Sequence, residues 1–144
     1  MPTDPRIDQL KDGLALPGVG IDVVEVTRIL RAWQRHGDRF LHRVFTAGEI
    51  AYCLRRPHPE RHLAARFAAK EAASKCLGSG IGAGVEWIDL EVVRADDEPP
   101  QLRLHRRAAA LAERLGPGQL RLSLTHSDTL AAAVVAVAPA AGMG

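Results

Sequence analysis

The chain has 144 residues, 47% of them apolar and 25% charged, with a formal net charge of +2. That length suits one domain with a sizeable core, and the balance is ordinary for a globular protein. A charge so near zero and an aromatic content of 4% exclude a strongly basic nucleic-acid binder and a base-stacking platform. The longest apolar run, LAAAVVAVAPAA at 130–141, is too short to cross a bilayer. Cys53 and Cys76 stand alone, so no zinc site or disulfide framework is expected, and a reducing, cytoplasmic setting is. The polar opening MPTDPRIDQLKDG does not read as a signal peptide.

Residues 1–16 read as an N-terminal arm and 17–140 as the domain. In GVGIDVVEV, Val19, Ile21 and Val23 alternate with Gly20, Asp22 and Val24, which predicts a strand. From Thr27 the pattern is helical, interrupted near Gly37. Thr46 with Glu49 three residues later has capping-box spacing, so TAGEIAYCLRR is expected to be a helix, stopped by Pro57 and Pro59. The next helix spans about 60–77 and ends in four glycines, at 78, 80, 82 and 84. VEWIDLEVVRA and QLRLH flank ADDEPP as a hairpin. RRAAALAERLG is a helix closed by Gly116, and QLRLSLTH and LAAAVVAVA form a second strand pair around SD. The fold class expected is α+β: one domain, an antiparallel sheet with helices packed on it.

On the 60–77 helix, ~100° per residue puts Phe67, Ala68, Glu71 and Lys75 on one face. Ala65, Ala69, Ala72, Ala73, Cys76 and Leu77 form the opposite face, small enough to pack closely on a sheet. Glu71 and Lys75 are thus expected to point away from the main contact, with Lys70 off to one flank. A Glu–Lys pair at i,i+4 is an ordinary helix ion pair worth ~0.2–0.5 kcal/mol, and glycines after a helix are commonly a cap and a loop. Asp22 stands in a strand otherwise apolar or Gly, where it is either at an edge or kept charged by a partner, since burying it alone costs on the order of several kcal/mol. Mg²⁺ takes one or two carboxylates and completes its shell with water and substrate phosphate. Asp22 and Glu71 suit that, with Lys75 as a nearby phosphate charge; residues alone leave both readings open. His126 ends a strand from which Ser123 diverges, and no G-x-S-x-G occurs, so a Ser–His nucleophile is not expected. Arg28, Arg31, Arg35 and Arg39 fall within a stripe of ~80° if the helix runs through Gly37, either a solvated basic face or a docking surface.

Four segments, GVGIDVVEVTRI, RVFTAGEIAYC, RHLAARFAAKEAASKCLGSGIG and LSLTHSDTLAAAVVAVA, occur in that order. Together they resemble the holo-acyl-carrier-protein synthase family, the small 4'-phosphopantetheinyl transferases, from about Gly18 to Val137. The specific motifs are G-[IV]-D-x-x-x-x-x-R and F-x-x-K-E-A-x-x-K. The resemblance implies a 4'-phosphopantetheinyl transferase-like domain that moves the phosphopantetheine arm of coenzyme A onto a serine of an acyl carrier protein. The carrier would serve fatty-acid or polyketide synthesis, and adenosine 3',5'-bisphosphate would be the other product. It implies Mg²⁺ on Asp22 and Glu71 and Lys75 at the pyrophosphate. Ser74, Gly78 and Gly80 would lie near the nucleotide end, and His126 near the same ligand. A metal-ordered water or Glu71 itself would take the serine proton. Arg28 matches the family arginine that meets the acidic carrier helix, and Arg31 and Arg35 extend it. Lys70 matches the motif, but its helical angle leaves a structural ion pair equally open.

Short members of that family are homotrimers with active sites at subunit interfaces, an assembly that would be needed to set Asp22 of one chain beside Glu71 of another. The arm is longer than the family pattern, GSGIG replaces G-T-G-[IF], and Cys76 stands for a small apolar residue. The competing reading is a non-catalytic module that docks an acidic carrier through the basic helix, with Asp22 and Glu71 structural.

Overall fold

Two glycines in the first strand govern how closely the domain closes. In a computed structural model that describes residues 18–138 apart from Ala83 and Pro117, β1 (Val19–Glu25) lies against α4 (Pro59–Leu77). The expected arm at 1–16 and the outermost positions of the expected domain are outside the described residues. A Cβ on Gly20 would be driven into the carbonyl oxygen of Ala72, and one on Gly18 into that of Cys76. Only glycine lets strand and helix backbones approach like this.

β1 pairs antiparallel with β5 (Leu130–Ala138), which pairs antiparallel with β4 (Gln119–His126). The register sets Asp22 opposite Ala133, and Ala133 opposite Leu124. β2 (Leu90–Val93) and β3 (Gln101–Leu104) form the expected hairpin as a separate two-stranded sheet, with Val92 opposite Leu102. Helix α1 (Val26–His36) and α2 (Asp38–Val44) follow β1, α3 (Ala47–Leu54) precedes α4, and α5 (Arg106–Arg114) follows the hairpin. The α+β antiparallel architecture is the one expected.

The interruption expected near Gly37 is there: its φ of 58° closes α1 and begins α2, so the condition for a stripe through Arg39 is not met. Arg39 therefore belongs to a different helix from Arg28, Arg31 and Arg35. The long helix, in turn, is not one-sided. Phe67 and Ala68, expected on the outward face beside Glu71, are buried. Alanines let the sheet close on one side of α4, while α1, α3 and β2 cover the other. It is a central strut enclosed for most of its length.

The capping box at α3 forms as its spacing predicts: the Thr46 hydroxyl accepts the Glu49 N–H at 3.2 Å and the Glu49 carboxylate accepts the Thr46 N–H at 2.9 Å. On β1, Gly20, Asp22 and Val24 face α4, and the larger apolar residues face out: Val19 is 66% exposed, Ile21 64% and Val23 58%. Leu130 and Val134 of β5 continue this outer apolar surface.

Candidate active site

The short approach of β1 to α4 brings the charged residues together. Lys75 Nζ donates to Asp22 Oδ1 at 3.1 Å and to the Ile21 carbonyl at 3.0 Å. Glu71, half-buried one turn earlier on α4, is held above the ordinary carboxylate range by its burial and then by the Asp22 charge; Lys75 and Arg28 oppose the shift. Asp22, Glu71, Lys75 and Arg28 thus converge on the seam between β1 and α4. This corrects the expectation that Glu71 and Lys75 point away from the sheet: Lys75 reaches across the seam to Asp22. Nor is a second chain required to set Asp22 beside Glu71, because one chain's β1 and α4 do so.

The Asp22 charge adds to burial in raising the proton affinity of Glu71, so the two carboxylates are close enough to interact and could together serve a hard cation. Among the described residues no group of three or more His, Cys, Asp or Glu side chains gathers. A divalent cation here would therefore draw its remaining oxygens from water and from a bound phosphate, which fits Mg²⁺ better than zinc.

Behind Glu71, α4 ends at Gly78, whose φ of 78° is the left-handed cap conformation. The Ser74 carbonyl accepts the N–H groups of Ser79 and Gly80 at 3.2 and 3.3 Å, folding the glycine loop back on the helix end. Ser74 itself is buried, and its hydroxyl donates to the Glu71 carbonyl at 2.8 Å. It shapes the loop; its side chain is engaged within the helix. Gly78 and Gly80 have open space where a Cβ would stand.

Lys70 is fully buried and paired with Glu49 at 2.7 Å, so the structural ion pair is the alternative that holds. Burial pulls Lys70 down from the ordinary lysine range and Glu49 works against it. Arg31 and Arg35 are exposed on α1 and do not join the carboxylates. Arg28 does: its guanidinium lies 5.5 Å over the Phe67 ring, which stacks on Trp87 at 4.7 Å.

His126 belongs to a second cluster, most of which sequence reasoning misses. Its ring meets His62 edge-on at 4.9 Å. The Arg56 and Arg66 guanidinium groups lie 3.9 and 4.1 Å from the Tyr52 ring. Among the described residues, the buried Nε atoms of Arg56, Arg61 and Arg66 have no hydrogen-bond partner. His62 is pushed down to about 4 by burial, then by His126, Arg66, Arg56 and Arg94. The adjoining cavity is lined by Arg56, His62 and Arg94 with Tyr52, and by the carboxylates of Asp96 and Asp97, while Arg61 pairs with Asp128 at 3.1 Å; the unpartnered arginine Nε atoms could serve an anion. The signal was present in RHLAARF, where His62 and Arg66 stand at i,i+4 on one helix face. Arg66 and Glu71 are five residues apart on α4, a rise of about 7.5 Å. His126 and Asp22 lie on the inner face of one sheet, on neighbouring inward rungs.

A carboxylate pair with a lysine toward one end of α4 and a group of basic side chains farther along it could take a cation and phosphate groups. The chain belongs to the 4'-phosphopantetheinyl transferase superfamily, whose sequence profile matches residues 18–136. It is similar to the holo-[acyl-carrier-protein] synthase of Moorella thermoacetica, 49% identical over 118 residues that cover 82% of this chain and 91% of that protein. It is 47% identical to the enzyme of the same name from Koribacter versatilis, covering 82% and 94%. The Helicobacter pylori holo-[acyl-carrier-protein] synthase, solved in complex with coenzyme A, superimposes with a TM-score of 0.72 at 30% identity, covering 83% of this chain and 99% of that one.

Proposed function

We propose that the chain transfers the 4'-phosphopantetheine group of coenzyme A to a serine of an acyl carrier protein, converting apo to holo carrier. Asp22 and Glu71 would hold Mg²⁺, and Lys75 would move from Asp22 to the pyrophosphate. The observation that carries this is the meeting of Asp22, Glu71 and Lys75 on the β1–α4 seam of a chain that belongs to this superfamily. A bound Mg²⁺ supplies charge stabilisation for the phosphoryl oxygens.

The serine oxygen bonds to the β-phosphorus as the bond to the bridging oxygen breaks, and adenosine 3',5'-bisphosphate leaves. Lys75, half-exposed, is free to follow the charge that grows on the leaving oxygen. The serine proton departs on the Glu71 side, to its carboxylate or to a water beside it. Gly78 and Gly80 offer loop N–H groups to the nucleotide end. The ribose phosphate of coenzyme A is taken by Arg66, His62 and His126; the unpartnered Nε of Arg66 and the His62–His126 contact support that placement.

Arg28, Arg31 and Arg35 dock the acidic carrier helix, and Arg28 joins that surface to Glu71. The assembly proposed is a homotrimer. Its support is the outer sheet face of Val19, Ile21, Val23, Leu130 and Val134, a contiguous apolar surface suited to further copies of this chain. Residues 17–140 form the transferase domain after the 1–16 arm, and the cytoplasm, where carrier proteins are made, is its setting. No described helix is long and apolar enough to cross a membrane.

The test is to incubate the purified protein with apo carrier, coenzyme A and Mg²⁺ and weigh the intact carrier. A phosphopantetheine adduct from wild type, lost with Glu71→Gln, is expected. No adduct on either fatty-acid or polyketide carriers would refute the activity.

A further inference from the structure

The Lys70–Glu49 pair takes no part in the chemistry above, yet Lys70 is the chain neighbour of Glu71. Both side chains are fully buried. The Lys70 ammonium has three donors, and all have acceptors: Glu49 Oε1 at 2.7 Å, the Leu90 carbonyl at 2.6 Å and the Trp87 carbonyl at 3.0 Å. Glu49 Oε1 also accepts the Thr46 N–H at 2.9 Å, and its Oε2 accepts the Val92 N–H at 3.0 Å. The middle of α4 is thereby tied to the start of α3, to the turn at Trp87–Asp89 and to β2.

A buried ion pair is weak evidence for stability, because desolvation offsets most of the attraction and apolar replacements are often neutral. What the pair supplies is direction. Alanine supplies six of the thirteen buried residues of α4, at 64, 65, 68, 69, 72 and 73, beside the larger Leu63, Phe67 and Leu77. The alanines oppose a small rotation of the helix less firmly than larger side chains in their places would. A carboxylate about 5.5 Å from the helix axis shifts by about 2 Å for a rotation of about 20°. A misplacement of about 1 Å can cost about 100-fold in rate. The acceptors around Lys70 come from separate elements and are all met at one rotation of α4.

We propose that the Lys70–Glu49 pair is a positioning device that sets the rotation of α4 and so holds Glu71 at its working distance from Asp22. The inference rests on the reading of Asp22 and Glu71 as a metal-holding pair.

Removing one partner leaves a lone buried charge, so the test is the neutral double variant Lys70→Met/Glu49→Gln. Mn²⁺ binding in the presence of coenzyme A is read by paramagnetic resonance, beside kcat, KM and the thermal midpoint. Leu41→Ala, a core truncation on α2 and outside β1 and its sheet, is the control for destabilisation alone. A double variant that folds is expected to bind Mn²⁺ at least 10-fold more weakly and to lose 10- to 100-fold in kcat, with KM for coenzyme A within about twofold of wild type. Leu41→Ala is expected to keep wild-type Mn²⁺ affinity. A folded double variant with wild-type Mn²⁺ affinity and kcat overturns the proposal. So does an equal loss of Mn²⁺ affinity in Leu41→Ala. Wild type that binds no Mn²⁺ at all removes the metal reading and this inference together, and is told apart by the first titration. If the double variant does not fold, Lys70→Gln/Glu49→Gln is judged by the same criteria.

Discussion

Gly20→Ala adds a single methyl group at the most crowded of the described glycine positions. The new carbon would meet the Ala72 carbonyl oxygen and the Cys76 amide nitrogen, both backbone atoms of a helix enclosed by other elements. Neither can rotate aside, so β1 must back away from α4 by about 1 Å to reach van der Waals separation. Overpacking of this kind costs about 1–3 kcal/mol, which in a domain of this size lowers Tm by about 5–10 °C. The larger consequence falls two residues along the strand. Asp22 shares the inward face with Gly20, so a retreat of β1 carries its carboxylate away from Glu71 on α4. We therefore expect kcat to fall by about 100-fold, far beyond what the loss of stability explains at 25 °C. Thermal melts and intact-mass transfer assays on the purified variant measure both. If Tm and transfer rate both stay at wild-type values, the close strand–helix approach does not position Asp22 and the reasoning is wrong.

Three further outcomes are expected. His62 is held near 4 in the fold against an ordinary value near 6.5, so the unfolded chain binds more protons between those values. Stability is then full above about 6.5 and is lost as pH falls toward about 4; melts of His62→Gln should show a shallower acid loss over that window. Arg66→Ala should raise KM for coenzyme A by about 10- to 100-fold, the worth of a charged hydrogen bond, and leave KM for dephospho-coenzyme A nearly unchanged; equal effects on both would remove Arg66 from the ribose phosphate. Ile21→Lys, which charges the outer apolar face, should convert the assembly to monomers in light scattering; a monomeric wild type would discard the trimer outright.

Much of the site is legible because its chemistry is carried by residue types that are out of place. A carboxylate in an apolar strand and a Glu–Lys step in an alanine helix both stand out, and Asp22, Glu71 and Lys75 do meet. The partners are less legible. Lys75 has Glu71 at ideal helical spacing, yet its ion pair is with Asp22, 53 residues earlier in the chain, because the glycines let the strand come within reach. Glu49 reads from sequence as half of a capping box, which it is, but its second task for Lys70 depends on how α3 and α4 cross. The outward turn of Val19, Ile21 and Val23 is equally hidden: strand alternation gives the period but not which side meets the helix. Gly37 marks a break without saying how sharply the chain turns there.

Lys75 deserves a last consideration for where it rests rather than what it is for. Its ammonium lies on Asp22 Oδ1. If Asp22 holds a cation as proposed, that cation would compete with the ammonium for Oδ1, and entry of one would be the release of the other. The same exchange would then free a positive arm for the proposed phosphate, so that loading of the metal and readiness for the second substrate would be one event.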